Sequence, residues 1–405
     1  MFNAIPSNTD EIDNPIKVSV VIVSYNCLNF LRLCLNSLLW KNHNNMELIV
    51  VDNNSSDGTV SVLKDEFPEL RLIANDYNAG FGKACNQGIK IAGGHYLLML
   101  NPDTFVPEDL TSKIISFMDK HERCGAMGAY MMDAKGKFLP ESKRGMPTPF
   151  RSFCRFSGLS ALFPRSAYFA GYYAGNIPKD KVAEVEILSG AFMVLRRDAL
   201  AETGGFDEDF FMYGEDIDLS WRIHKAGWLN YYNPDIRIVH FKGESGDKDP
   251  AYVKVFYEAM QTFYRKHFGQ HQNKFARFFI KSVIRLMTVL SSLKSKLSRR
   301  KGREEEYPVN EDSYIFSEDY VAAKRAAKLL FSGKLLPWSD KEPQRPNEPL
   351  INCILDISSC LPSKILDFVR IKGFFCKRLF WLAKGRRCVF LPLNSLVRTR
   401  ITTLD

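Results

Sequence analysis

The sequence predicts an α/β fold whose N-terminal half forms a doubly wound, mostly parallel sheet. Apolar runs of strand length alternate with segments of helical periodicity between residues 17 and 100, which is the pattern of repeated βα units. These runs are apolar almost throughout, as expected for strands that are buried on both faces. With 405 residues, 45% of them apolar, the chain can form one large domain and an appendage.

The predicted elements follow one another in a regular order. Strands are predicted at residues 17–24, 47–52, 70–74 and 96–100, and helices at 59–66 and 82–92. Between the first two strands, Leu31, Leu35, Leu38 and Leu39 share one face of a helix. A later helix begins at Glu215, and a further strand covers residues 236–241. This βαβα alternation favours parallel strands joined by right-handed crossovers.

Polar side chains follow each of the four N-terminal strands at the point where the strand ends. These residues are Ser24, Tyr25 and Asn26, then Asp52, Asn53, Asn54 and Ser55, then Asn78, Gly80, Lys83 and Asn86, and finally Asn101 and Asp103. Ligands of doubly wound sheets bind at the carboxyl ends of the strands. One such loop is equally well explained by ordinary turn chemistry, whereas four in succession indicate a nucleotide site. Asp52 or Asn53 can read a pyrimidine imide, and Tyr25 offers the ring a flat face.

The densest cluster of acids lies between residues 207 and 218, where six carboxylates occur in twelve residues. Asp216 falls in the first turn of the helix that begins at Glu215, where the helix dipole favours an ionised carboxylate. Asp218 is four residues before Arg222, a spacing typical of a surface ion pair. Because Asp216 has no such local partner, it is the candidate general base.

The same stretch resembles a known family. Gly-Gly-Phe-Asp-Glu from Gly204, Phe-Phe from Phe210 and Glu-Asp-x-Asp-Leu from Glu215 resemble the acceptor-side motif of family-2 inverting glycosyltransferases of the GT-A fold. The similarity is closest to the bacterial rhamnosyltransferase-like branch and spans roughly residues 18–268. It implies that Asp216 is the catalytic base and that the polar residues at the strand ends bind the nucleotide-sugar donor. Gly190 would line the donor sugar pocket, and Phe211, Tyr213 and Glu215 would lie on the acceptor side.

The resemblance also implies a divalent cation, Mg²⁺ or Mn²⁺, as cofactor. Asn101-Pro102-Asp103 stands where the family carries its D-x-D signature, although Asp103 is the only acid of the three. A hard cation would neutralise the leaving diphosphate with few protein ligands. His240, shortly before a Gly/Ser loop, is the second candidate ligand, with a structural role for this strand-end histidine as the alternative.

One position bears on the choice of donor. Many members of the family carry Asp-Asp-Asn-Ser after the second strand, whereas this chain has Asn53 at the second position. Rhamnosyltransferase-like members are similar to this chain there. The expected donor is therefore dTDP-rhamnose, with UDP-hexoses as the alternative.

Charge and composition divide the chain into five segments. We expect a flexible N-terminus (1–16), a glycosyltransferase domain (17–268), a basic amphipathic helix that associates with membranes (269–303), a linker (304–350) and a basic, aromatic-rich extension (351–405). Residues 265–303 contain twelve Lys or Arg and no acid. Long aliphatic side chains lie between these basic residues, so an anionic membrane surface is the expected partner and nucleic acid is not. Residues 141–180, which are rich in aromatic side chains, are expected to form a mobile flap that covers the site and touches lipid.

The expected cellular location rests on features that the sequence lacks. The nine cysteines are scattered, odd in number and never spaced C-x-x-C, which favours reduced thiols in the cytosol. The polar N-terminus is not a signal peptide, and no apolar run is long enough to span a bilayer. We therefore expect a peripheral enzyme on the cytoplasmic face of the inner membrane, acting on a lipid-linked surface glycan.

Three other classes of protein share some of these sequence features. A sugar nucleotidyltransferase would need a Gly-rich basic first loop, which Tyr25-Asn26-Cys27 is not. A processive polysaccharide synthase would need a Q-x-x-R-W motif and spanning helices. A catalytically inactive glycan-binding or scaffold protein stays as an alternative, although Asp103 and Asp216 are both present.

Overall fold

The chain forms two β-sheets with helices packed against them. The computed structural model describes residues 17–40, 45–242, 250–268, 313–328, 331–332, 334–338, 351–373, 376–382, 388–391 and 400–403. Within these ranges the first sheet has nine strands and the second has six. The predicted N-terminus (1–16) and amphipathic helix (269–303) lie outside the described residues.

The first sheet and its helices occupy the N-terminal two thirds of the chain. Its strands are β1 (Val18–Ser24), β2 (Met46–Asp52), β3 (Arg71–Ala74), β4 (Tyr96–Leu100), β5 (Thr104–Phe105), β6 (Cys124–Met132), β7 (Ala183–Glu184), β8 (Phe192–Arg196) and β9 (Leu229–His240). The helices are α1 (Leu28–Leu38), α2 (Thr59–Glu66), α3 (Phe81–Ile91), α4 (Leu110–Lys120), α5 (Pro149–Phe156), α6 (Leu159–Leu162), α7 (Arg197–Thr203), α8 (Glu215–Lys225) and α9 (Pro250–Phe268).

Strand order brings the polar loops to one edge of the first sheet. The order is β3-β2-β1-β4-β8-β6-β9-β5, with β7 paired to β9. The first four strands in this order are parallel, and Val18 is in register with both Met46 and Tyr96. Beyond β4 the sheet is mixed, because β8 is antiparallel to β4 and β6 while β6 and β9 are parallel. The carboxyl ends of β1, β2 and β4 therefore meet at the same edge.

Both faces of this sheet are covered. Along β1, Val20 and Ile22 pack with the core that includes helices α1, α2 and α4, whereas Val21 and Val23 pack with the core on the opposite face. Alternation of this kind in a strand that is apolar throughout requires helices on both sides. The predicted α/β class with a doubly wound sheet is confirmed.

The C-terminal part differs from the expectation of a linker followed by an extension. It forms β10 (Ser313–Phe316), α10 (Tyr320–Ala327), β11 (Leu335–Pro337), β12 (Ile351–Asp356), α11 (Pro362–Lys372), β13 (Cys376–Leu382), β14 (Cys388–Leu391) and β15 (Arg400–Thr403). The strand order is β11-β10-β12-β13-β14-β15, and the first four of these strands are parallel. Helix α10 lies within the segment that the sequence predicted to be a linker. The sequence does not indicate β10 and β11 because these strands are only four and three residues long, and strands this short become regular by pairing within a sheet.

The second sheet packs directly on the first. The ring of Trp381 in β13 contacts Phe105 and Phe241 at centroid distances of 5.6 and 5.1 Å. The carboxylate of Glu108 accepts hydrogen bonds from the backbone N–H and hydroxyl of Ser363, at 2.8 and 2.6 Å. A carboxylate at this position satisfies free N–H groups at the N-terminus of α11. The contacts lie beside β5 and the end of β9.

No helix within the described ranges has the length and apolar character needed to cross a lipid bilayer.

Candidate active site

A cavity of about 470 Å³ lies at the carboxyl edge of the first sheet. Ten sequence-predicted residues line it: Tyr25, Asn53, Asn78, Asn101, Asp103, Gly190, Tyr213, Glu215, Asp216 and His240. They come from loops after β1, β2, β3 and β4, from the segment before β8, from the start of α8 and from the end of β9. The cavity therefore contains members of the predicted donor, acceptor-side, base and metal sets.

Asp216 is held by contacts to both carboxylate oxygens. Its Oδ2 accepts hydrogen bonds from an Arg144 guanidinium nitrogen at 2.5 Å and from the Gly190 N–H at 3.0 Å. Its Oδ1 accepts from the Ile217 N–H at 2.8 Å. Arg144 also donates to the Leu188 carbonyl at 2.6 Å. Asp216 has no charged partner nearby in the sequence, but Arg144, 72 residues away, is its partner in the fold. Each carboxylate oxygen has two lone pairs, so the group can still accept from a further hydroxyl.

Burial and charge act together on Arg144. Burial alone would lower the pKa of its guanidinium, but the neighbouring Asp216 carboxylate outweighs this and raises the pKa above its ordinary value. The guanidinium Nε is buried without a hydrogen-bond partner in the described part of the chain. Arg144 therefore remains charged and retains a donor at the cavity wall.

The carboxyl of Glu215, one residue before the candidate base, lies in an environment that favours its neutral form. Burial raises the pKa of its carboxyl to about 8, and the negative charge of Asp216 adds to the effect. Its Oε2 is buried and has no hydrogen-bond partner among the described residues. At neutral pH Glu215 therefore holds a proton, whereas the next residue, Asp216, is paired with Arg144. Neighbouring carboxyl groups in different environments commonly take different chemical roles.

Asp218, in contrast, is structural. It forms the predicted ion pair with Arg222 at 2.7 Å, and its other oxygen lies 2.6 Å from His267 Nε2. The pair is not on the surface as the sequence suggested, because the Asp218 side chain is buried. These contacts attach α8 to α9.

Asp103 and His240 both line the cavity, Asp103 directly before β5 and His240 at the end of β9. Thr104 pairs with His240 across β5 and β9, which brings His240 Nε2 to 3.3 Å from Asp103 Oδ1. Both residues are buried. His240 Nδ1 is buried with no hydrogen-bond partner in the described ranges.

This pair suits a divalent cation that takes most of its ligands from elsewhere. A carboxylate oxygen and an imidazole nitrogen are both donors that Mn²⁺ accepts, and the carboxylate suits Mg²⁺. No group of three or more His, Cys, Asp or Glu side chains that could hold a metal ion occurs in the described part of the chain. Two ligands facing an open cavity leave coordination positions for the phosphate oxygens of a nucleotide.

Gly80 joins the donor loop to the acceptor-side segment. Its φ of +85° is in the left-handed region, and a Cβ at this position would lie 2.6 Å from the backbone oxygen of Phe211. The Phe81 N–H donates to the same oxygen at 2.9 Å. Only glycine fits this conformation and close approach. Gly80 and Phe211 therefore set the spacing between two walls of the cavity without lining it.

Nine sequence-predicted residues do not line the cavity: Ser24, Asn26, Asp52, Asn54, Ser55, Gly80, Lys83, Asn86 and Phe211. Several of them build the loops instead. Asp52 accepts from the N–H and hydroxyl of Ser55 at 2.8 and 2.6 Å, and the Asn26 N–H donates to the same hydroxyl at 2.9 Å. The side chain of Asn86 bonds both backbone groups of Phe206 at 2.8 Å.

The sequence did not identify every residue of the cavity wall. Glu141, Arg155, Tyr172, Tyr173 and Lys242 also line it. Lys242 pairs with Glu141 at 2.5 Å. Burial alone would raise the pKa of Glu141, but Lys242 more than offsets this and the net shift is downward. Four of these cavity residues come from 141–173, within the segment that the sequence predicted to form a flap over the site, and its aromatic residues were the available signal.

Comparisons with known proteins indicate the family of the chain. The model described as Glycosyl transferase family 2 matches residues 19–204, and the model described as Glycosyl transferase family group 2 matches residues 163–300. An N-acetylglucosaminyl-diphospho-decaprenol L-rhamnosyltransferase of Mycobacterium tuberculosis is 32% identical over 244 residues, covering 57% of this chain and 78% of that protein. A poly-beta-1,6-N-acetyl-D-glucosamine synthase of Staphylococcus epidermidis is 24% identical, covering 54% of this chain and 48% of that protein.

Among solved structures, a mannosyltransferase from Pyrobaculum calidifontis in complex with GDP-mannose and Mn²⁺ is similar at 17% identity and a TM-score of 0.44, covering 72% of this chain and 77% of that one. The matched family models and the coverage of the mycobacterial relative agree on one classification. The chain belongs to glycosyltransferase family 2 and is a glycosyltransferase close to the rhamnosyltransferases of that family.

Proposed function

We propose that the protein transfers rhamnose from dTDP-rhamnose, with inversion, onto a hydroxyl of a lipid-linked surface glycan. The observation that carries the proposal is the shared cavity, in which the candidate base Asp216 and the Asp103–His240 pair face the same space. Transfer needs a base near the acceptor oxygen and positive charge near the leaving diphosphate. The cavity offers a place for each.

The transfer step uses Asp216 as general base. The acceptor hydroxyl gives its proton to the Asp216 carboxylate while its oxygen attacks the anomeric carbon of the donor. The bond between that carbon and the diphosphate oxygen breaks on the opposite face, and the nucleoside diphosphate leaves. Arg144 and Gly190 orient the carboxylate through their 2.5 and 3.0 Å hydrogen bonds. A base that is held in one orientation reduces the entropy lost in reaching the reactive geometry.

Glu215 is proposed to bind rather than to accept the proton. With its pKa raised to about 8 by burial, it holds a proton at neutral pH and can donate a hydrogen bond to an acceptor oxygen. A protonated carboxyl is a poor base. Of the two neighbouring acids, Asp216 therefore accepts the proton and Glu215 orients the substrate.

Asp103 and His240 are proposed to hold Mg²⁺ or Mn²⁺. A cation bound there would supply positive charge to the departing diphosphate. Support comes from their 3.3 Å separation and from the buried His240 Nδ1, which has no partner in the described ranges. Arg144, whose Nε is likewise buried without a partner among those residues, is a second source of positive charge.

The acceptor and the location are proposed on different grounds. The mycobacterial relative is named for a decaprenol-linked acceptor, which supports a lipid-linked acceptor for this chain. The basic segments at 265–303 and 364–400 support association with an anionic membrane. A peripheral enzyme at the cytoplasmic face of the inner membrane would meet both the nucleotide sugar and the lipid acceptor.

The first experiment offers a panel of nucleotide sugars with Mg²⁺ and measures release of nucleoside diphosphate. We expect dTDP-rhamnose to be turned over faster than UDP-glucose, UDP-galactose or UDP-N-acetylglucosamine. Thermal shifts give an independent measure, since a preferred nucleotide stabilises the folded state more. Greater stabilisation by UDP than by dTDP would overturn the donor assignment and favour the UDP-hexose alternative. No release from any donor would favour a glycan-binding protein without activity.

A further inference from the structure

The aromatic flap, which we define as residues 149–175, has an ordered inner side. It contains α5, α6 and the 3₁₀ turn Gly171–Tyr173. Arg151 forms an ion pair with Glu186, and Cys154 is buried. Behind the flap, the ammonium of Lys143 donates to the carbonyl oxygen of Ala174 at 2.8 Å. These contacts fix the flap to the first domain.

The outer side of the flap is apolar and exposed. Its large apolar side chains are between 41% and 73% exposed: Phe150, Phe153, Leu162, Phe163 and Tyr168. Phe150 contacts the ring of Tyr168 at 4.7 Å, and Phe163 contacts Phe169 at 5.0 Å. Because Tyr168 and Phe169 also contact each other, these rings form one patch. Contiguous exposed apolar patches mark surfaces that bind something.

The charged side chains of this surface are positive. No Asp or Glu occurs from residue 142 to residue 178, and Arg155 and Arg165 are exposed on the flap. No carboxylate lies within ion-pair distance of Arg155 among the described residues. Aromatic rings beside unpaired arginines suit the boundary between lipid head groups and acyl chains.

The patch leads into the candidate active site. Arg155 and Tyr173 belong to the flap and also line the cavity, and the Arg155 guanidinium lies 5.1 Å above the Tyr173 ring. A substrate that rested on the patch would meet Arg155 before it met Asp216. This is the order of parts in a lipid-linked sugar, whose apolar chain is followed by phosphate and then by the sugar.

We propose that the aromatic flap is the surface on which the enzyme rests on the anionic bilayer that contains its acceptor. The inference rests on the proposed function, since it assumes a lipid-linked acceptor. The exposed rings enter the acyl region, the arginines contact the head-group phosphates, and Arg155 marks the entry to the cavity. The lipid part of the acceptor then stays in the bilayer while its terminal sugar reaches Asp216.

The test is vesicle binding by the full-length chain. The variant Phe153→Ser/Leu162→Ser/Phe163→Ser removes three exposed apolar side chains that do not line the cavity. Its partition coefficient onto phosphatidylglycerol-containing vesicles should fall about tenfold or more, given the transfer free energy of such side chains. The matched control, Val321→Ser/Ile371→Ser, removes exposed apolar residues from α10 and α11 and should change binding less than about twofold.

A second readout reports contact with lipid directly. Phe163→Trp adds a fluorophore to the patch, and its extra emission relative to the natural chain should be quenched by lipids brominated on the acyl chains. Quenching should be weaker with neutral vesicles and in high salt, since salt screens the arginines. Emission that stays unquenched on bound vesicles would overturn the proposal.

The outcomes separate this inference from the proposed function. Release of nucleoside diphosphate with a short soluble acceptor should be the same for the triple variant and the natural chain. If the triple variant instead binds vesicles normally, the flap is not the docking surface, even though transfer is intact. Loss of a dimer in sedimentation velocity with normal vesicle binding would assign the patch to a second copy. A lowered Tm with normal vesicle binding would assign it to another segment of this chain.

Discussion

At the scale of single residues, the two acids at the start of α8 have opposite environments. Asp216 has three hydrogen-bond donors, one of them a guanidinium, whereas the Glu215 Oε2 has no hydrogen-bond partner in the described ranges. Ionised carboxylates are stable where donors point at them, and protonated ones where donors are lacking. Adjacent positions on one helix turn therefore provide one acid that is paired with a guanidinium and one that holds a proton at neutral pH.

The raised pKa of Glu215 makes a prediction about stability. Between the ordinary carboxyl pKa of 4.5 and the folded-state value of about 8, the folded chain holds a proton that the unfolded chain has lost. The contribution of Glu215 to the free energy of unfolding is therefore full below about pH 4.5 and decreases as pH rises toward 8. Glu215→Gln should unfold with a flatter dependence on pH over this window, measured by urea titration. An unchanged slope would contradict the raised pKa.

Asp103 and His240 make a prediction about the cation. Chelation by EDTA should abolish transfer, and Mg²⁺ or Mn²⁺ should restore it in the natural chain. Asp103→Asn should weaken Mn²⁺ binding in the presence of nucleoside diphosphate by about tenfold or more, as loss of a charged ligand does, measured by electron paramagnetic resonance. Full activity in EDTA would remove the metal role from both residues.

At the scale of elements, the two segments that carry the candidate cation ligands rest on the second sheet. Phe105 is two residues after Asp103, Phe241 directly follows His240, and both rings pack on Trp381. The Phe241 N–H also donates to the Asp103 carbonyl at 2.9 Å. Packing at Trp381 therefore supports the relative position of the two ligands.

Trp381→Leu should consequently weaken Mn²⁺ binding in the presence of nucleoside diphosphate by roughly tenfold, because misplaced ligands lose affinity. Nucleoside diphosphate binding without metal should be unchanged. The control is Phe380→Ala, which removes a fully buried ring from the opposite face of β13, where it packs on Phe331. Both changes cost on the order of 3 kcal/mol of stability. Equal loss of Mn²⁺ affinity in both variants would indicate general destabilisation.

The sequence predicted the first sheet well and the second poorly. The strand at 96–100 and the helix at 59–66 have the predicted bounds, because local apolar periodicity determines them. In the second sheet, β13 contains Lys377 and Arg378, and β12 contains Asn352. These polar residues interrupt the apolar runs, and only pairing with distant strands makes the segments regular.

For the candidate site too, the sequence predicted local motifs well and contacts between distant residues poorly. Motifs within a few residues, such as Asn101 to Asp103, were visible in the sequence and line the cavity. The pairing of Asp216 with Arg144 and of Glu141 with Lys242 joins residues far apart in the chain. No local pattern can predict such pairs, since the fold of the whole domain brings them together.

At the scale of the whole molecule, two surfaces are candidates for membrane contact. One is the aromatic flap, and the other is the amphipathic helix predicted at 269–303, which lies outside the described residues. Charge reversal of Arg277, Lys281 and Arg285 to Glu should reduce binding to anionic vesicles, at about 1 kcal/mol for each basic residue near the surface. Transfer to a soluble acceptor should persist. Normal pelleting of this variant would leave the aromatic flap or the basic segment at 364–400 as the anchor.

The central claim is that Asp216 accepts the proton in a transfer that occurs in this cavity. The most direct measurement is single-turnover transfer to a soluble acceptor at saturating nucleotide sugar, comparing Asp216→Asn with Glu215→Gln. Asp216→Asn should slow transfer by about 10² or more, the usual size of general-base catalysis, with donor affinity unchanged. Glu215→Gln should stay within about tenfold of the natural rate at pH 7, because an amide can replace the hydrogen bond of a protonated acid. The reverse result, a fast Asp216→Asn and a slow Glu215→Gln, would contradict the assignment of the base.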